Sequence, residues 1–261
     1  MSQELTKSDL QMLKNRLKVE WTYRSNAIEG NTISLGDTAF IIEYGLTIKG
    51  KSIAEHNEVI GHAKAVDLVY ELIKKEHLSE DDIFLLHKAV QTNIVIDIEC
   101  PIGAYKVVPN ARYINKDAKL EHKYYPLPNH VPHLMNLFFK EFSDFSQPLE
   151  SFELCVALYT DIHIAISSIH PFFDGNGRLA RLLANIPLLK NGYLPIIINN
   201  EERQEYIELL SNYDIHSKPL DNTTAKLIEK NEFYEKLFEF FKSQYKNTQS
   251  LLKEIQNNKK G

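Results

Sequence analysis

Apolar residues return at roughly helical spacing along most of this chain. Leu10, Leu13, Leu17, Trp21 and Ile28 form one such set, and Ile53, Ile60, Ala63, Val66, Val69 and Leu72 form another. That period marks the buried stripe of an amphipathic helix. It predicts helices over 5–28, 34–44, 52–76, 79–93, 130–143, 149–168, 177–191 and 201–212, with one or two more in the tail, 222–261. Ser8 or Asp9 offers the first helix a cap, and Glu29-Gly30-Asn31 offers it a stop. Ser79-Glu80-Asp81-Asp82 is a capped start for the fourth. One stretch departs from the pattern. Val107-Val108 and Arg112-Tyr113-Ile114 are β-prone pieces separated by Pro109-Asn110, the signal of a hairpin. The expected fold class is mainly α with one small β-hairpin, and no internal repeat or long Gly/Ser linker interrupts it.

Composition narrows the functional classes. The 261 residues are 43% hydrophobic and 25% charged, enough apolar material for a real core. A net charge of -5 excludes a broadly basic nucleic-acid coat. Two cysteines, Cys100 and Cys155, make neither a disulfide scaffold nor a Cys-rich metal site. No stretch approaches the roughly 18 unbroken apolar residues of a membrane span. The polar start, MSQELTKSDL, does not read as a signal peptide. The expectation is a soluble cytoplasmic protein with no nucleic-acid or membrane partner.

Residues 169–181, Ile-His-Pro-Phe-Phe-Asp-Gly-Asn-Gly-Arg-Leu-Ala-Arg, carry the chemistry. Gly175 and Gly177 permit a tight turn in which backbone N–H groups approach an anion. The helix that follows directs its free N–H groups and positive dipole end at the same point. Arg178 and Arg181 are three apart and can share a side of it. Asp174 is a hard oxygen ligand suited to Mg2+ on phosphate oxygens. His170 can serve as a general base near neutral pH. Together they point to phosphoryl or nucleotidyl chemistry on a nucleotide. Neither GxxxxGK[ST] nor GxGxxG is present.

His170 to Arg181 resembles, at every fixed position, the Fic (filamentation induced by cAMP) signature His-x-Phe-x-Asp/Glu-Gly-Asn-Gly-Arg-x-x-Arg. The resemblance implies a Fic-type helical bundle that transfers AMP from ATP to a Ser, Thr or Tyr hydroxyl of a protein and releases pyrophosphate. It assigns the base to His170 and Mg2+ to Asp174. ATP phosphates would lie on Gly175, Asn176, Gly177, Arg178 and Arg181, with Phe172 as the buried packing residue. Ser25-Asn26-Ala27-Ile28-Glu29-Gly30 is similar to the family's inhibitory-helix pattern, which would put Glu29 on Arg181 and an autoinhibitory helix ahead of the core. Ser25 and Glu29, four apart, share a helix face.

The division this implies is an N-terminal helical region at 1–54, a catalytic core at 55–217 and a helical tail at 218–261. Val107, Val108, Arg112, Tyr113 and Ile114 correspond to the family's flap, which clamps a target segment; Lys106 stands where many members have arginine. His163 is assigned a hydrogen-bonding role, and Tyr206 lies near where the nucleobase is often received. The implied partners are ATP and an unidentified protein target, with a second copy of this chain as a candidate for both target and homo-oligomer. De-AMPylation, a different donor and a non-catalytic nucleotide-sensing module remain open alternatives.

Overall fold

The computed structural model describes residues 6–92, 97–116 and 119–257; the expected helix limits at 5 and 93 and the last residues of the tail lie outside them. Helix α1 (Lys7–Ile28) is capped by Thr6 rather than by Ser8 or Asp9. Asp9 instead supplies the reciprocal half of a capping box, accepting from the Thr6 N–H at 2.7 Å. α2 (Leu35–Tyr44), α3 (Ile53–Leu72) and α4 (Glu80–Val90) follow, capped by Ser34, Ser52 and Ser79. Each serine hydroxyl accepts one of the N–H groups that a helix start leaves unpaired.

On α3, Ala63, Val66, Val69 and Leu72 are buried as the stripe predicts, but Ile53 is 71% and Ile60 38% exposed. Val59, one residue earlier, takes the inward position and joins Ile33 and Ile41 in a small satellite core under α2.

The hairpin is displaced from its predicted place. β1 (Ala111–Lys116) pairs antiparallel with β2 (Lys119–Tyr124), so Arg112, Tyr113 and Ile114 form the first strand and not the second. Val107 and Val108 lie outside the sheet. Pro109-Asn110 is no hairpin turn, because the Asn110 side chain is engaged with backbone carbonyls at Phe172 and Phe173.

α5 (Val131–Phe142) and α6 (Phe152–Ile169) lead into the motif. α6 is apolar and long enough to pass for a membrane span by composition (mean hydropathy 1.4). Its place accounts for that composition, since it packs against α5, α7, α8 and α10, with Tyr159, Ile162, Ile164 and Ile166 fully enclosed. The helix expected over 177–191 is broken into α7 (Asn176–Leu183) and α8 (Ile186–Lys190), with Pro187 in the first turn of α8. A proline there ends the preceding ladder. Asn185, at the break, pins the next extended segment through Ile196 N–H (2.7 Å) and Ile196 C=O (2.9 Å).

α9 (Arg203–His216) and α10 (Glu232–Asn257) complete the chain; residues 222–231 of the expected tail are irregular. Tyr234, Leu237, Phe240 and Phe241 of α10 enter the same core as Trp21 of α1, Phe138 of α5 and Phe172 of the motif loop.

Candidate active site

His170 closes α6 in the left-handed conformation, φ 50°, the one non-glycine among the described residues with positive φ. Such a cap usually falls to glycine, and a side chain kept there at a conformational cost points to a site. Tyr125, which directly follows β2, stacks on the half-buried imidazole at 3.6 Å and 9°. Nδ1 faces the Ser167 carbonyl at 3.4 Å, so Nδ1 carries the proton and Nε2 holds the lone pair. Burial, and next the Lys106 ammonium, push the His170 pKa down to about 3, which leaves the ring a neutral base.

From His170 the chain enters a loop whose carbonyls are all tied back to the body. Lys106 N–H holds Pro171 C=O at 2.9 Å, and the Asn110 amide holds Phe172 C=O and Phe173 C=O at 3.0 and 3.3 Å. His87 Nε2 meets Asp174 C=O at 3.1 Å, while its Nδ1 accepts from Gly103 N–H at 2.8 Å, which fixes the tautomer. Its ring stacks on the buried Phe172 at 3.8 Å. With the carbonyls turned inward, the N–H groups at the start of α7 are left to an anion. Gly175 is the N-cap of α7, at φ 79°, and no side chain caps the helix.

Asn176 also shapes the loop: its Oδ1 accepts from the Phe172 N–H (3.0 Å) and its Nδ2 donates to the Phe172 C=O (2.9 Å). Asp174 is 62% exposed, with Oδ2 accepting from the Gln91 amide at 2.9 Å and standing 3.5 Å from Arg178. Crowding opposes its ionisation, but Gln91, the Gly175 N–H and Arg178 outweigh it and hold the carboxyl below its usual range.

The two arginines are in different states. Arg178 is buried, makes only long contacts to Val90 C=O (3.4 Å), Gln91 Oε1 (3.3 Å) and Asp174 Oδ2 (3.5 Å), and leaves Nε without a partner. A buried guanidinium so poorly paired is an anion site. Arg181 is engaged through four of its five N–H groups. Its Nε donates to Ser25 Oγ (3.0 Å), Nη2 to Ser25 C=O (2.9 Å) and Glu29 Oε1 (2.6 Å), and Nη1 to Tyr206 Oη (3.4 Å). Tyr206, 3% exposed, sits behind Arg181 with its hydroxyl 3.0 Å from His163 Nε2, and is not an open stacking platform. Glu29 lies so close that a Cβ on Gly177 would stand 2.6 Å from its Oε1. Hence the second glycine of the loop also makes room for the carboxylate.

His170, Glu29, Gly177, Arg181 and Tyr206 line one cavity of about 340 Å³, with Arg112, Tyr113 and Tyr125 on its hairpin side. A neighbouring hollow of about 470 Å³ under the 217–229 segment holds none of the motif. His87, Gln91, Asn110 and Tyr125 were not anticipated as site residues. Their roles depend on partners 45–87 residues away, from Tyr125 to His170 and from His87 to Asp174, and no local spacing encodes that.

The buried histidines make stability depend on pH. Burial lowers the pKa of His87 to about 4 and of His163 to about 3, against 6.5 in a free side chain. The unfolded chain therefore binds protons first as pH falls, and stability is lost from about pH 6.5 downward. Between pH 7.5 and pH 5 each of the two costs about 2 kcal/mol. A urea titration is expected to show a lower midpoint at pH 5, with His163→Gln recovering only part of the difference because burial also holds His62 and His170 neutral; equal midpoints at both pH values would contradict neutral burial.

One short segment of this helical core thus carries an uncapped helix start, a buried arginine with an unpartnered Nε and a neutral histidine. Residues 77–188 match the Fic/DOC family model, so this chain carries a Fic/DOC domain. It is 36% identical over 189 residues to Protein adenylyltransferase fic-1 of Caenorhabditis briggsae, an alignment spanning 71% of this chain and 34% of that relative. The chain thus spans about a third of the length of this curated relative. A Fic domain containing signaling protein from Bacteroides thetaiotaomicron superposes with a TM-score of 0.80 at 26% identity, over 98% of this chain and 92% of that one. Residues 134–508 of Fic-1 from Caenorhabditis elegans superpose with a TM-score of 0.73 at 26% identity, over 99% and 68% of the two chains.

Proposed function

We propose that this chain is a protein adenylyltransferase, using ATP to place AMP on a protein hydroxyl, and that Glu29 holds it inactive. The observation that carries this reading is the contrast between the two arginines: Arg178 is poised for an anion, while Arg181 is occupied by a carboxylate of α1's end. Relatives named protein adenylyltransferases support the choice of donor.

In the proposed reaction His170 Nε2 takes the proton of the target hydroxyl. The oxygen forms a bond to the α-phosphorus as the bond to the bridging oxygen breaks, and pyrophosphate departs. The loop N–H groups and the arginines meet charge as it builds on the phosphates. Asp174 suits a magnesium ion carried by the nucleotide, being ionised and solvent-facing; such ions are commonly held by one or two carboxylates plus phosphates. Bound there, the metal would offset charge between the phosphates. Intact-protein mass spectrometry of the Glu29→Gly variant after incubation with Mg-ATP tests the reading, an AMP-sized addition supporting it and none opposing it.

The His170 pKa yields a second check. kcat/KM reports groups of the free enzyme, so activity is expected to hold flat on the acid side until below about pH 5, where an ordinary histidine base would fail near pH 6.5. An acid limb at 6.5 would show the ring to be ordinary.

Removal of AMP by water is a second reading. Glu29 is 41% exposed and lines the cavity that holds His170, within reach of a water there. Loss of the AMP adduct with time in the unaltered protein, but not in Glu29→Gly, would favour it.

A further inference from the structure

Among the described residues, the β1–β2 hairpin is a two-stranded sheet joined to no other strand. Such ribbons are marginal without support from outside. Arg112 and Lys123 are direct cross-strand partners in its register. Their side chains therefore share a face, and two like charges so placed repel.

Both turn to one residue of α9. Arg112 Nη2 lies 2.6 Å and Lys123 Nζ 2.9 Å from the same oxygen, Asp214 Oδ2. Lys123 Nζ also donates to the Asp214 backbone carbonyl at 2.5 Å. That carbonyl is among the last four of α9, which have no acceptor role within the helix and favour a cation. Among the described side chains of the hairpin, every hydrogen bond and ion pair that leaves the two strands ends on Asp214. Tyr125, directly after β2, stacks on His170, and Arg112, Tyr113, Tyr125 and Asp214 line the cavity of the candidate base.

We propose that Asp214 is a positioning residue: it latches the hairpin to α9 and so fixes the target-side wall of the cavity over His170. The part concerning the target rests on the adenylyltransferase reading; the latch itself does not. Asp214 cancels one of two adjacent positive charges and accepts from both, so among the described side chains the hairpin is tied to α9 by electrostatics. Without the carboxylate, Arg112 and Lys123 face each other uncompensated and the ribbon lifts from the cavity edge.

Hydrogen–deuterium exchange on the full chain without nucleotide tests the latch. In Asp214→Asn, which keeps the shape and removes the charge, amides of 111–116 and 119–124 are expected to exchange about tenfold faster, the equivalent of one charge-assisted hydrogen bond. Amides of α6 should not change, and Asp214→Glu should restore protection. Added 0.5 M NaCl should speed exchange of the hairpin in the unaltered protein and not in Asp214→Asn.

In a Glu29→Gly background at saturating ATP, self-adenylylation should fall about tenfold with Asp214→Asn and return with Asp214→Glu, a pattern in keeping with one lost charge-assisted bond. Hairpin exchange within twofold of the unaltered protein would overturn the latch. Faster exchange with unchanged transfer would overturn the positioning role. If Glu29→Gly transfers no AMP at all, the adenylyltransferase reading fails while the exchange comparison still decides the latch.

Discussion

Glu29→Gly is expected to raise AMP incorporation by about 5- to 150-fold, the range of a coupling worth 1–3 kcal/mol. The cause is local. Glu29 Oε1 sits 2.6 Å from Arg181 Nη2 and against Gly177, the second glycine of the anion loop. A carboxylate at that point both occupies the guanidinium and repels a terminal phosphate. Because Glu29 is partly exposed, the pair itself contributes little to folding, and its effect falls on the nucleotide. Its removal leaves Arg181 anchored by Ser25 and Tyr206, so the arginine stays in place with one face open. Glu29→Gln, which keeps the shape and removes the charge, should release part of the activity. The measurement is a time course of intact mass with Mg-ATP. If Glu29→Gly binds nucleotide as the unaltered protein does and incorporates no more AMP, Glu29 is not a brake.

His170→Ala in the Glu29→Gly background is expected to reduce transfer by about 10²–10⁴-fold, the usual worth of a positioned base. Nucleotide binding should be largely kept, since the anion loop is held by Lys106, Asn110 and His87 and not by His170. The variant does not relieve the left-handed backbone, because alanine is no better suited to φ 50° than histidine. His170→Gly provides the control for strain: equal loss in both variants assigns the effect to the imidazole. Full transfer in either would remove His170 from the chemistry.

The helices were legible because their signals are local. Serine caps, helical spacing and the Pro and Gly breaks act within a few residues. Where the reading erred, a longer-range demand had intervened. Pro109-Asn110 looks like a turn, yet Asn110 is committed to Phe172 and Phe173. β2 went unnoticed because Lys-Leu-Glu-His-Lys-Tyr is rich in charge and lacks the β-branched run that marks a strand. The second half of 177–191 was joined to the first although Pro187 forbids a continuous ladder.

The site divides in the same way. The composition of the loop from His170 to Arg181, and the pairing of Ser25 with Glu29 one turn apart, are properties of short segments and could be read directly from sequence. The pairing of Glu29 with Arg181 was legible only through the family resemblance, and the structure sets the two 2.6 Å apart; what else those segments face could not be read. The fold brings Glu29 across 152 positions onto Arg181, leaves Arg178 Nε without a partner, turns the loop carbonyls toward His87, Lys106 and Asn110, and sets Asp214 beneath two like charges. The distinction is physical. Backbone propensity and side-chain spacing act over one or two turns of chain, whereas burial, pKa and ion pairing depend on which distant surfaces the core forces together.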